Sequence, residues 1–172
     1  MEIRNATMDD LQAIAAVEAA CFPAAEAATA EEFAGRLAHY AGHFWLLLEQ
    51  GELVAFVDGF CTDWPDLTDE MYADASLHRE NGAWQMIFGV NTIPACRRQG
   101  YAGQLLQQLN GFVYGRNVVC IAMADKNTRC LLFLQKSHCI GEVRPAVCFW
   151  IGKRFVARYQ YQRRAICPQR IP

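Results

Sequence analysis

The stretch Asn91-Thr92-Ile93-Pro94-Ala95-Cys96-Arg97-Arg98-Gln99-Gly100-Tyr101-Ala102-Gly103 constrains this chain more than any other part of it. An apolar run, residues 84–93, leads into it and is closed by Pro94. A helical pattern with Leu105, Leu106, Leu109 and Val113 on one side follows it. A strand that turns into a helix in this way exposes the first backbone N–H groups of the helix, which have no partner inside it, at the positive end of the helix dipole. A phosphate accepts such bonds. Gly100, Ala102 and Gly103 keep side chains out of its way, and Arg97 and Arg98 add charge that is always on. Plain strand–turn–helix connections with solvated arginines carry short glycine motifs too, so the surrounding pattern has to decide.

That pattern alternates strands and helices. Residues 3–6 read as a strand, and Thr7-Met8-Asp9-Asp10 as a helix start, with Leu11, Ile14 and Val17 at helical spacing up to Cys21-Phe22-Pro23. Thr29-Ala30-Glu31-Glu32 is a capping box leading into Phe33, Leu37 and Tyr40. Residues 44–49 and 53–61 flank Gln50-Gly51-Glu52 as a hairpin, and 64–82 is polar, acidic and irregular. Gly89 within 84–93 marks a bulge or a close backbone approach. The spacing predicts a helix over 101–114, a strand over 117–124, a helix over 128–136 and a final strand over 146–151. The expectation is one mixed α/β domain, residues 1–155, followed by a basic tail, 156–172.

Composition narrows the class. The chain is 53% hydrophobic over 172 residues, enough for one core. No run reaches the ~18 apolar residues of a membrane span, and Met1-Glu2-Ile3-Arg4-Asn5 does not open a secretion signal. The expected setting is cytoplasmic, with no membrane partner. Eight cysteines stand singly without a CxxC pair, so no metal site is expected and they read as free apolar residues. Residues 116–172 carry 11 Lys and Arg against 2 Asp and Glu, an excess that argues only weakly for nucleic acid. Arg158, Arg163, Arg164 and Arg170 near Tyr159 and Tyr161 are compatible with RNA contact, but a solvated end is the simpler reading.

Arg97-Arg98-Gln99-Gly100-Tyr101-Ala102 resembles the signature of the GNAT acyltransferases, in which Arg or Gln, two variable residues, Gly, one variable residue and Gly or Ala follow a strand. The runs from Cys21 to Thr29, from Asp69 to His78 and from Gln85 to Thr92 are similar to a bacterial branch related to arylalkylamine N-acetyltransferases. The resemblance implies a central, mostly antiparallel sheet splayed between its fourth and fifth strands and flanked by helices. It also implies transfer of an acetyl group from acetyl-coenzyme A to a primary amine by direct attack. Main-chain groups at Val90 and Thr92 would hold the pantetheine arm. Arg97, Arg98, Gln99, Gly100, Tyr101, Ala102 and Gly103 would hold the pyrophosphate, and Asn127 would join the coenzyme A contacts.

A protonated amine is no nucleophile, so a base must take its proton. Glu26 and Glu70 are the candidates, set in the motifs that resemble the branch's substrate-side loops; Asp74 and His78 are weaker ones. The family's acid tyrosine, in a pattern like Phe-Tyr-x-Lys-x-Gly-Phe, falls here on Phe133-Leu134-Gln135-Lys136-Ser137-His138-Cys139. Leu134 cannot donate a proton, which leaves His138 or Cys139 as a substitute, water as the donor, or an altered C-terminal third; a protein that binds acyl-coenzyme A and turns over slowly is the alternative function. The partner expected is a small-molecule amine. A homodimer fits the family's habit, although no residue of this chain points to it.

Overall fold

The computed structural model describes the backbone of residues 1–112, 117–122, 143–151 and 154–161, and the side chains of residues 1–109. Strand β1 (Glu2–Asn5) is followed by a 3-10 turn whose entry Thr7 fixes, its N–H donating to Asp10 Oδ2 at 2.8 Å. Helix α1 (Leu11–Cys21) leads through an exposed connection to α2 (Ala30–Tyr40). The expected capping box is present there: Glu32 N–H donates to Thr29 Oγ1 at 3.2 Å, and Thr29 N–H to Glu32 Oε2 at 2.7 Å. Two N–H groups that the helix itself cannot serve are thereby satisfied.

Strands β2 (Phe44–Glu49) and β3 (Glu52–Asp58) form the hairpin. Its two-residue loop needs left-handed backbone at both positions, which Gln50 (φ 54°) and Gly51 (φ 87°) adopt. β4 (Cys61–Thr62), the single helical turn α3 (Glu70–Ala73), β5 (Trp84–Ile87), β6 (Gly89–Thr92) and α4 (Tyr101–Phe112) follow. β7 (Asn117–Ala122), β8 (Val143–Ile151) and β9 (Arg154–Tyr161) end the described chain.

Four expectations change. Residues 84–93 form two strands, parted at Phe88, and residues 53–61 likewise part into β3 and β4 around Gly59 and Phe60. The segment 64–82 contains α3 and a 3-10 turn at Ala75–Leu77. The strand expected at 146–151 begins at Val143 and is not the last: β9 follows and takes in the first residues of the supposed tail. The helix expected over 128–136 lies outside the described residues.

The strands run β1-β2-β3-β6 in one sheet, antiparallel throughout, and β4-β5-β7-β9-β8 in the other, where only the β5–β7 pairing is parallel. Two chain segments cross from one sheet to the other side by side. Phe88 N–H donates to Asp58 O and Met86 N–H to Phe60 O, both at 2.8 Å, so the backbones stay bonded across the crossing. Helices cover both faces. α1 and α2 pack Ile14, Val17, Phe33, Leu37 and Tyr40 against Phe44, Leu46, Phe56 and Met86. α4 packs Leu105, Leu106 and Leu109 against Trp45, Leu47, Val57 and Ile87. Alternate residues of β2 therefore serve opposite cores, which is why that strand reads as an unbroken apolar run. Among the described residues no helix is long and apolar enough to cross a membrane.

Close backbone approach at the crossing leaves no room for a side chain on Gly59, where an added Cβ would overlap the Met86 carbonyl. Gly59→Ala should therefore lose about 3 kcal/mol, seen as a lower urea midpoint at unchanged slope. An unaltered midpoint would contradict this packing.

Candidate active site

The crossing at Phe88 creates an opening. β5 pairs with β7 as far as Ile87 opposite Cys120, whereas β6 pairs with β3. Ile93 N–H donates to Val54 O at 3.0 Å. By the alternation of an antiparallel ladder, Gly89, Asn91 and Ile93 then turn their main-chain groups to β3, and Val90 and Thr92 turn theirs the other way, into the splay. The Thr92 carbonyl is held at its far end by Arg97 Nε (3.2 Å) and Cys21 Sγ (3.3 Å).

At the mouth of the opening the chain makes a 3-10 turn over Pro94–Cys96 and then enters α4. Arg98 (φ 64°) and Gly100 (φ 86°) are both left-handed, a conformation that glycine adopts freely and arginine rarely. Gln104 N–H donates to Gly100 O at 3.1 Å as the first helical bond. The amides of Tyr101, Ala102 and Gly103 are therefore the first-turn donors that α4 leaves unserved. Pro94, Ala95, Arg97, Arg98, Gln99 and Gly100 are exposed. Tyr101 offers only its amide: its ring is buried, and its hydroxyl donates to Glu49 Oε2 at 2.8 Å and lies 3.1 Å from Gln99 Oε1. The Glu49 bond raises the phenol above its ordinary pKa.

The two candidate bases stand on separate loops. Glu26 sits in the connection between α1 and α2, its N–H bonded to Pro23 O at 2.8 Å, and Glu70 opens α3; both are exposed. Asp74 is occupied in capping Ser76 N–H at 2.9 Å. The Tyr72 ring lies 4.7 Å from that of Phe88, which brings the 64–82 segment over the crossing. His138 and Asn127 lie outside the described residues.

Two polar clusters were not assembled by the sequence reading, although His78, a member of the second, was one of its weaker candidates. Asp58, 2% exposed, accepts from Arg36 NH1 at 3.1 Å, while Arg36 lies over the rings of Phe33 and Phe88 and reaches the Tyr72 carbonyl at 3.4 Å. Burial pushes the Asp58 carboxyl up to about 6, against the pull of Arg36; nearby Glu18 adds to the rise, and the Gly89 N–H bond opposes it. Beside it, the Asn91 amide nitrogen donates to Glu18 Oε2, and Glu18 Oε1 accepts from Ala28 N–H at 3.1 Å. A charged residue inside the apolar run 53–61 was the available signal, since an acid there needs a partner.

The second group joins His43, His78 and Glu80, whose donor atoms lie within 4.8 Å of one another, a spacing that suits a metal ion. The two rings carry their hydrogens differently. Cys61 N–H donates to His78 Nδ1 at 3.2 Å, so the hydrogen of a neutral His78 ring sits on Nε2, which faces Glu80 Oε2 at 3.2 Å. Gln85 commits its NH2 to Phe60 O and Met86 O, so its oxygen takes the His43 Nδ1 hydrogen at 2.8 Å. His78 thus donates to Glu80, whereas a neutral His43 keeps the lone pair of its Nε2 on the side of Glu80 Oε2, 3.1 Å away.

The Acetyltransferase (GNAT) family model matches residues 9–138, and the chain belongs to that family. Its fold is similar to that of the loading GNATL domain of CurA from Lyngbya majuscula, at 16% identity and a TM-score of 0.76 over 93% of this chain and 96% of that one. It also resembles the GNAT-like decarboxylase GphF in complex with isobutyryl-CoA (21%, 0.73, 94% and 99%). A third likeness is to the PaiA N-acetyltransferase from Thermoplasma acidophilum in complex with coenzyme A (13%, 0.62, 93% and 98%). A search of curated proteins found no match.

Because the native Asp58 carboxyl keeps its proton up to about 6, while the unfolded chain releases it near the ordinary ~3.9, the native state binds more protons between those values. Stability from this group should then fall as pH rises from about 4 to about 6. Asp58→Asn should flatten that part of the curve of melting temperature against pH. An identical curve in the variant would contradict the shift.

Proposed function

We propose that the protein transfers an acetyl group from acetyl-coenzyme A to a small primary amine, of the arylalkylamine type that the loop motifs resemble. The observation that carries this reading is the turn at 94–103, with two left-handed residues and three first-turn amides that α4 leaves unserved, at the end of a splayed sheet. Such a turn suits a pyrophosphate, and Arg97, Arg98 and Gln99 stand around it. The complexes of two fold relatives, one with isobutyryl-CoA and one with coenzyme A, support a co-substrate carried on coenzyme A.

The pantetheine arm would run in the opening along β6, bonded by the main chain of Val90 and Thr92. One N–H there would polarise the thioester carbonyl; a donor aimed at the growing oxyanion is worth about 3 kcal/mol in barrier. The amine nitrogen, once neutral, attacks the carbonyl carbon, the C–S bond breaks, and the thiolate takes up a proton. Glu26 in the α1–α2 connection and Glu70 at the start of α3, both exposed, would draw a cationic amine and accept its proton through water. Asn127 and His138 keep their proposed roles in holding coenzyme A and in returning the proton.

Coenzyme A at a hundred times its Kd should stabilise the protein by about 2.7 kcal/mol, which raises the melting temperature by about 5 to 10 °C at this chain length. Gly100→Glu puts bulk, charge and an unsuited φ at the turn, and should abolish that shift. Retained cofactor affinity in the variant would overturn the site. Thiol release with a panel of amines then tests the transfer itself.

A further inference from the structure

We infer that His43, His78 and Glu80 form a binding site for a divalent metal ion of the zinc type, beyond the acetylation reading and independent of it. His43 closes a 3-10 turn, Ala41–His43, directly before β2. His78 follows the 3-10 turn Ala75–Leu77, and Glu80 stands two residues further on. His43 Nε2 and His78 Nε2 lie 3.1 Å and 3.2 Å from the same oxygen, Glu80 Oε2, and all three atoms lie within 4.8 Å of one another. A tetrahedral ion with bonds of about 2.0–2.2 Å to such atoms sets them about 3.3–3.6 Å apart. Both nitrogen–oxygen spacings are within a few tenths of an ångström of that.

One contact calls for a cation. Gln85 gives its NH2 to Phe60 O at 3.3 Å and Met86 O at 2.9 Å, so its oxygen accepts the hydrogen of His43 Nδ1 at 2.8 Å. A neutral His43 then turns the Nε2 lone pair to the Glu80 carboxylate, and two electron-rich atoms at 3.1 Å repel unless positive charge lies between them. A proton or a metal ion supplies that charge. A proton would make a cation of a ring that is 1% exposed, whereas an ion leaves the ring neutral and sits beside the exposed carboxylate. The Gln85 bond is also the support a ligating imidazole needs, since it fixes the tautomer and raises the basicity of the other nitrogen. His78 is the ligand that has to adjust. Its Nδ1 accepts from Cys61 N–H at 3.2 Å, so on ligation its hydrogen passes from Nε2 to Nδ1 and that bond is exchanged for the metal bond.

The ion has a route in. The Glu80 side chain is 62% exposed, that of His78 11% and that of His43 1%, so the cluster runs from the surface inward. Its inner wall is aromatic: the Trp45 ring lies 6.0 Å from that of His43, and Tyr40 and Phe60 lie 5.6 Å and 6.2 Å from His78. Two imidazoles and a carboxylate suit zinc, with water in the remaining position, and do not suit calcium or magnesium, which take oxygen ligands. Cysteine spacing carries no signal of this site, because none of its ligands is a cysteine. The ion fastens the end of the 64–82 segment to the entry of β2.

The test uses the full chain, stripped with a chelator and titrated with zinc alone. One zinc per chain should bind at micromolar free ion, and at a hundred times its Kd should raise the melting temperature by about 5 to 10 °C. Glu80→Gln lies on the exposed side of the cluster, so the variant should fold as the parent does and bind zinc at least about tenfold more weakly. Because cysteines take zinc too, a second titration uses cobalt, whose spectrum should show ligand-field bands without a thiolate charge-transfer band. A thiolate band, or unchanged zinc affinity in Glu80→Gln, overturns the site. Absence of binding at micromolar zinc overturns it as well and leaves a proton between His43 and Glu80. None of these results bears on whether the protein acetylates amines, which thiol release decides separately.

Discussion

Everything in this molecule is arranged around a change of hydrogen-bonding partner. Up to Ile87 the chain shares a ladder with β7; past Phe88 its next strand bonds to β3 instead. A sheet that loses one pairing in mid-course exposes main-chain groups, and exposed groups in a protein interior have to be satisfied by something. The crossing is held open from the other side: the backbone bonds of Phe88 to Asp58 and Met86 to Phe60 keep the two crossing segments locked while β7 diverges. The opening is thus a consequence of rigid packing, with Gly59 and Gly89 as the places where side chains had to be given up.

Polar chemistry is concentrated on the same line. The layer between the sheet and helices α1 and α2 is built on apolar side chains, with Phe33, Phe44, Phe56, Phe60 and Met86 in one cluster. Through it runs a row of four polar residues, Arg36, Asp58, Glu18 and Asn91. Breaking a buried pair of this kind costs about 3–5 kcal/mol, although such pairs add little net stability when intact. Within the row each member fixes the direction of the next, Arg36 holding Asp58 and Glu18 holding Asn91. In this chain they orient two oxygens toward the crossing.

The local devices were legible in the sequence and the long-range ones were not. Thr29 and Glu32 are three residues apart, and their reciprocal bonds follow from that spacing. The hairpin at Gln50-Gly51 and the turn before α4 are equally local. Arg36 and Asp58 are 22 residues apart, His43 and Gln85 are 42, and Glu18 and Asn91 are 73, so no periodicity could pair them. Alternation did mark β9, where Phe155, Ala157, Tyr159 and Tyr161 interleave with Arg154, Val156, Arg158 and Gln160. Reading that segment for its charge hid its period of two. Gly89 marked the break in residues 84–93, and the alternation slips phase there: Trp84, Met86 and Phe88 join the α1–α2 core, whereas Val90 packs against the α4 core and Asn91 meets Glu18 of α1.

The connection between α1 and α2 offers a last consequence. It is tied down before any ligand comes: Ala28 N–H is bound to Glu18, Thr29 to Glu32, and Cys21 to the Thr92 carbonyl. A wall that is already ordered surrenders little conformational freedom when a guest arrives, so more of each contact survives as affinity. The same fastening limits how far the entrance can widen. Selection among guests at that border would then follow their shape and rigidity, with bulky or branched molecules turned away by a frame that does not yield.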